Sequence, residues 1–353
     1  MDNKNDLYQN QHPNYPPEPK KSNKIPLIII AAIVLILGAN FSTTLMGRGS
    51  NTQAGGAALT AEIVRVTQPV TELGIRLYNN AVTVGTHSGS YILVTYTPPS
   101  AGNYVRPTYQ LSRDGMSLEV VEARRQNFNF SWNVSSQRGL LNVLIPEDMA
   151  GALELLSVST TSGRIEISGD KGIRLASRIN ASTTSGGVLA ENFAADSVTI
   201  GTTSGGVRAN DLYLSGNLTA GATSGGASAN NITADSAVIS STSGGARADN
   251  LTVNSAVISS TSGGVRVSNI LADSLEISGT SGGITANNLS VGTLNARSSS
   301  GGMTFADSTI SGSLNARASS GGITLSNVDA DENQMSLSTS SGQINVNGRR
   351  WGR

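Results

Sequence analysis

The 353-residue chain contains no cysteine, so disulfide staples, thiolate metal sites and thiol catalysis are excluded. Its two histidines are His12 and His87, which leaves no imidazole base in the second half. Aromatic residues make up 4% and charged residues 14%, values that exclude a coiled coil and do not describe an ordinary globular core. The formal net charge is zero, and beyond Ser157 basic and acidic residues nearly balance, so charge alone implies no broad polyanion-binding face. Proline stops at Pro146, as expected of a segment in which nearly every backbone N–H enters a ladder.

What is present begins with an address. Residues 1–24 are rich in Asn, Gln, Pro and charge, have nothing to bury, and are predicted to form a disordered cytoplasmic tail. Residues 25–46 open on the uncharged run IPLIIIAAIVLIL. As a helix the segment would reach about 33 Å, against a hydrocarbon core of about 30 Å. Lys20, Lys21 and Lys24 precede it and the first charge beyond is Arg48, so the positive-inside rule places the N-terminus in the cytoplasm. The expectation is a single-pass transmembrane anchor at the cell membrane with an extracellular C-terminal domain. A cleaved signal peptide is the competing reading, disfavoured by Leu37 at the −3 position and by the long leading tail. Residues 47–58 (GRGSNTQAGGAA) read as a flexible linker with a reach of roughly 19 Å.

Residues 59–156 change to alternating apolar runs such as EIVRV, YILVTYT, MSLEVVEAR and LLNVLIP, which predict a leading module of antiparallel strands and hairpins. The aromatic row Tyr91, Tyr96, Phe128, Phe130 and Trp132 is read as core in preference to a sugar-stacking platform.

Residues 157–353 are dominated by a repeat. TSGG or a near variant recurs with its serines at 162, 185, 204, 224, 243, 262, 281, 300, 320 and 341, spacings of 23, 19, 20, 19, 19, 19, 19, 20 and 21. A fixed short period is the signature of a solenoid. Counting from the Ser as zero, +3 and +5 are apolar (Val265 and Val267), +8 is mostly apolar (Ile270), and +13 with +15 form a second pair (Leu275 and Ile277). The period of two, the paired glycines and the many Ser, Thr and Asn residues exclude a helix. The predicted fold class is therefore all-β: a parallel β-solenoid, or β-helix, of about ten coils and roughly 45 Å. Each coil is expected to have two short strands, two turns and about five inward side chains.

Position +7 holds Asn192, Asp211, Asn231, Asn250, Asn269, Asn288, Asp307 and Asn327, which predicts a structural ladder of stacked side chains at one turn. The paired glycines are expected to supply positive φ at the other turn. The closing residues Arg349, Arg350 and Trp351 are expected to cap the last coil, with a basic recognition tail as the alternative.

The motifs YILVTYT, GMSLEVVEAR, LLNVLIPED and TTSGRIEI, leading into tandem TSGG coils, resemble the putative-adhesin family of bacterial β-strand-repeat surface proteins, a domain of unknown function. The resemblance spans roughly residues 59–348, and its motifs are specific for the fold and not for an activity. Anchor, linker and rod together lead to the expectation of a non-enzymatic surface module that binds by adhesion or envelope contact. Members commonly carry an acidic or amide residue after the Ser-Gly pair, where this chain has Gly in most coils and Arg164 in the first. Some relatives look like accessory parts of cell-envelope stress systems, which implies a regulatory alternative.

Asp235 and Asp273, both at +11, lie two coils or about 10 Å apart, near the upper separation for a pair of inverting carboxylates, but Asn254 stands between them. A polysaccharide-cleaving enzyme is therefore the least favoured reading. Thr203, Thr242, Thr261 and Thr280 form an outward row of the kind that binds ice, on a surface broken by Glu276, Arg297 and Arg317. Arg208, Arg247 and Arg266 share the outward position +4 and are the candidate contacts for an anionic polymer, with a solvated face as the plainer reading. No phosphate loop, metal triad or Ser-His pairing is present, and no cofactor is expected. The expected partners are a cell-envelope polymer, a host or neighbouring surface, or a membrane protein. No nucleic acid is expected among them.

Overall fold

A computed structural model describes residues 62–99, 105–122 and 138–352. The expected tail, anchor and linker lie outside the described residues, as do Phe128, Phe130 and Trp132. Among the described residues no helix is long and apolar enough to cross a membrane.

The described residues form a parallel β-solenoid of about ten coils. In the middle of the repeat each coil is one 15-residue strand. These are β11 (Val188–Thr202), β14 (Ala227–Ser241), β15 (Ala246–Ser260), β16 (Val265–Gly279) and β17 (Ile284–Ser298). Where the spacing exceeds nineteen the strand is split. Thus β12 (Val207–Leu214) is followed by β13 (Asn217–Ala222), β18 (Met303–Ile310) by β19 (Leu314–Ala318), and β20 (Ile323–Ala330) by β21 (Met335–Thr339). The additional residues bulge out between the two halves and leave the stacked register intact.

The coil has three straight runs where two were expected. In β16 the buried residues are Val265 and Val267, then Ile270 and Ala272, then Leu275, Ile277 and Gly279. Inward alternation slips by one residue twice, and the pairing of β15 with β16 skips at the same places, Asn250/Asn269 and Asn254/Asp273. These are two corners, and the TSGG segment is the third. The +10 column is buried and alternates in size, with Ala195, Ala234 and Ala272 between Leu214, Val253 and Val291, and the alanines weaken its periodic signal in sequence.

The paired glycines do not supply positive φ. That conformation belongs to the eight Asn and Asp residues at +7, with φ between 49° and 61°. Asn and Asp are the side-chained residues that enter the left-handed region most readily. The first glycine of each pair answers a different demand. A Cβ on Gly263 would lie 2.3 Å from the carbonyl oxygen of Gly244 in the coil below, and one on Gly205 would lie 1.9 Å from that of Gly186. Coils stacked this closely leave no room for a methyl group.

The leading module departs from simple antiparallel hairpins. Strands β2 (Glu72–Leu77) and β3 (Ala81–His87) form a solenoid-like layer. It lies between β6 (Ser117–Glu122) with β7 (Leu140–Pro146) on one side and β8 (Leu155–Thr160) with β9 (Ile165–Ser168) on the other. All four of those contacts are parallel. The antiparallel pairs are peripheral: β1 (Glu62–Val66) with β4 (Ile92–Thr97), β4 with β7, and β5 (Pro107–Leu111) with β6. Strand β8 crosses the boundary expected at 156/157, and β10 (Arg174–Thr183) carries its register onward to β11. One core cluster runs from Val64 to Val346. It includes Tyr96, while Tyr91 is half-buried beneath the Arg65 guanidinium at 5.3 Å.

At the far end β22 (Ile344–Val346) turns through Asn347 and Gly348, both at positive φ, into antiparallel β23 (Arg349–Arg350). The Asn347 side chain donates to the Val328 carbonyl and accepts from the Val328 N–H, both at 3.0 Å, replacing one rung of a missing coil. Trp351 packs partly buried against the core, and its N–H donates to Ile344 O at 2.9 Å.

Candidate functional site

The three arginines at +4 are brought to one face. Arg208 lies on β12, Arg247 on β15 and Arg266 on β16, with Ser228 of β14 between the first two. Parallel pairing places Arg247 directly beside Arg266, one coil or about 4.8 Å away. The three line an open groove of about 460 Å³ together with Ser228 and the second glycines Gly206, Gly226, Gly245 and Gly264. Because these glycines carry no side chain, the arginine heads stand over exposed backbone.

The charges are unequally neutralised. Arg247 pairs with Asp249 at 3.5 Å, whereas Arg208 and Arg266 make no ion pair among the described residues. The Asp249 carboxyl lies below its ordinary value. Burial pushes it up, but hydrogen bonds from Ser268, Asn269 and Arg247, with the nearby Arg247 charge, outweigh that penalty. Ser268 donates at 2.7 Å and Asn269 at 2.9 Å, so this carboxylate is committed to its own donors. The groove therefore offers two uncommitted guanidinium groups, a third shared with Asp249, and the Ser228 hydroxyl. That is a donor set suited to anionic groups on an extended chain.

The +7 column is bonded from coil to coil in part. Asn231 donates to Asp211 at 3.0 Å, Asn288 to Asn269 at 2.6 Å and Asn327 to Asp307 at 2.8 Å. Asn250 and Asn269 instead reach the preceding coil's +6 residues, Asn230 and Asp249. Asn192 sits in the same column at φ 61°. Asp235 accepts from Asn254 at 3.4 Å, which engages one member of the carboxylate pair in a contact along the corner. Thr203, Thr242, Thr261 and Thr280 lie exposed at the TSGG corner. Among the described residues no cluster of three His, Cys, Asp or Glu side chains is placed to hold a metal. His87 accepts from Gly89 N–H at 3.2 Å through Nδ1, so its Nε2 donates to Tyr91 O at 2.7 Å.

A buried hydroxyl column two residues before the repeat serine was not recognised from sequence. Thr202, Ser241 and Ser260 donate to the carbonyls of Gly186, Gly225 and Gly244, each at 2.8 Å. Its signal was legible, since Thr160, Thr183, Thr202, Ser241, Ser260, Ser298 and Thr339 all occupy this position. Ser and Thr are so common in the chain that the column does not stand out.

Stacked parallel coils around a continuous apolar interior define a β-solenoid repeat protein. Within that class the chain belongs to the Toastrack DUF4097 family, whose model matches residues 70–217 and again 213–350. No curated protein matches it. Among solved structures it is similar to a putative adhesin from Parabacteroides merdae at 11% identity and TM-score 0.42, covering 83% of this chain and 97% of that one. It is also similar to a putative adhesin from Parabacteroides distasonis, at 11% identity and TM-score 0.43 with 83% and 98% covered. A putative cell adhesion protein from Clostridium sporogenes matches at 13% identity and TM-score 0.34, with 65% and 99% covered.

Proposed function

We propose that this protein is a membrane-anchored surface module that binds an anionic polymer of the cell envelope, or a neighbouring surface bearing one, without catalysing its turnover. The observation that carries this reading is the groove of Arg208, Arg247 and Arg266 over exposed glycine backbone. Parallel stacking repeats donors along the axis, which matches the repeating charge of a linear polymer better than a single small molecule. The apolar run at 25–46, with Lys20, Lys21 and Lys24 before it, supports an anchor that holds the solenoid outside the membrane.

The test is a pull-down of envelope fractions on the purified protein, beside the Arg208→Gln/Arg247→Gln/Arg266→Gln variant. The expected result is salt-sensitive retention of an anionic wall polymer that the triple variant loses. Equal retention by the two proteins, or none by the natural one, would overturn the reading. Release of new reducing ends from the retained polymer would show catalysis instead.

A further inference from the structure

A second arginine cluster lies on another run of the coil, at the outward positions of β17 and β19. Parallel pairing sets Asn295 beside Asn315 and Arg297 beside Arg317. These four side chains, with Ala296, line a cavity of about 220 Å³.

Two other arrangements explain what is unusual here. Arg76 on β2 pairs with Glu119 at 2.6 Å, and Glu119 lies in the adjoining layer opposite Gly74, two residues before the arginine. Arg297 pairs with Glu276 at 3.0 Å, and Glu276 lies opposite Asn295, again two residues before the arginine. The same diagonal drawn from Arg317 ends on Asn295, which lies opposite Asn315. An amide therefore stands where the pattern has a carboxylate. Arg317 has no ion pair among the described residues, and it sits directly beside the like charge of Arg297. Like charges opposed on adjacent strands are destabilising.

The amides add donors. Asn315 Nδ2 donates to Asn295 Oδ1 at 3.1 Å, which leaves the Asn295 NH2 group and the second Asn315 N–H for other acceptors. Glu276, Arg297 and Arg317 together carry a net charge of +1. The cavity thus presents guanidinium and amide donors around one missing negative charge.

We infer that the Asn295, Arg297, Asn315 and Arg317 cavity binds a single oxyanion, the carboxylate of an acidic sugar or a phosphate group. The bound group replaces the carboxylate that Asn295 lacks, and Arg317 supplies its main charge contact. This site is separate from the +4 groove and does not depend on it.

The experiment uses the full-length chain carrying Arg208→Gln, Arg247→Gln and Arg266→Gln, so that the groove contributes nothing. Calorimetric titrations at constant ionic strength with trigalacturonate, inorganic phosphate and neutral maltotriose distinguish the sources. One-to-one binding of trigalacturonate or phosphate, with maltotriose inert, is expected. Adding Arg317→Gln should weaken it at least tenfold, and adding Asn295→Glu should abolish it by completing the internal ion pair. Arg317→Gln should leave Tm in the absence of anion unchanged or higher, because it removes the opposed charge. Flat titrations with both anions, equal binding of maltotriose, or undiminished affinity in the Asn295→Glu variant would overturn the assignment. Loss of polymer retention by the groove variant in the pull-down bears on the proposed function alone, because these titrations read the Arg317 cavity with the groove already removed.

Discussion

Two corners of the same coil solve the problem of reversing a strand in opposite ways. At the TSGG corner the backbone avoids the left-handed region, and glycine is required because the next coil's carbonyl occupies the space of a Cβ. At the +7 corner the backbone is left-handed, yet the residue is Asn or Asp, whose side chain bonds along the stack. Glycine here marks close approach, and the amide marks positive φ. A repeat protein multiplies either device by its number of coils, so each corner becomes a column.

The sharpest way to break this comparison is Gly263→Ala, whose Cβ would fall 2.3 Å from the Gly244 oxygen. Backbone must move, and a loss of about 3 kcal/mol is expected in denaturant unfolding. Next comes Asn269→Ala at φ 55°, which should cost about 1–2 kcal/mol for left-handed backbone. Asn269→Gly should recover most of that loss, whereas the first glycine of the TSGG corner cannot be exchanged for Asn. Smaller still is Gly264→Ala at the second glycine, whose Cβ would lie 3.3 Å from the Gly283 oxygen. A loss below about 1 kcal/mol is expected there, within the usual range for a mild change. Arg164 and Gln343 already occupy that position in the first and last coils.

The smallest effect concerns acid. The depressed carboxyl of Asp249 bonds Asn269 of the +7 column. Its contribution is present above the unfolded carboxylate value near pH 4 and is lost as pH falls through the lower folded value. The stability difference between the natural protein and Asp249→Asn, followed by thermal unfolding against pH, should therefore shrink below about pH 4. An unchanged difference down to the acid limit would remove Asp249 from the corner's energetics.

Much of this was legible in the residues. The nineteen-residue period, the apolar pairs at +3/+5 and +13/+15 and the single column of Asn and Asp are sequence-local and repeated, so each coil restates them. The arginines at +4 could also be aligned, but the glycine floor beneath them could not, because it depends on which side of the corner faces outward. The Arg317 cluster was seen only as an interruption of a threonine surface, since its meaning rests on a diagonal between coils.

By itself, the sequence determined that the chain winds and where each coil begins, because a short period with alternating apolar residues leaves stacking as the way to bury them. Only the tertiary structure decided that the coil has three runs, which corner is left-handed, and that β2 and β3 lie between β6 with β7 and β8 with β9 in the stack. Those outcomes depend on carbonyl-to-Cβ distances between neighbouring coils and on which strand edges remain open when a distant segment arrives. Neither quantity is written in any single stretch of chain.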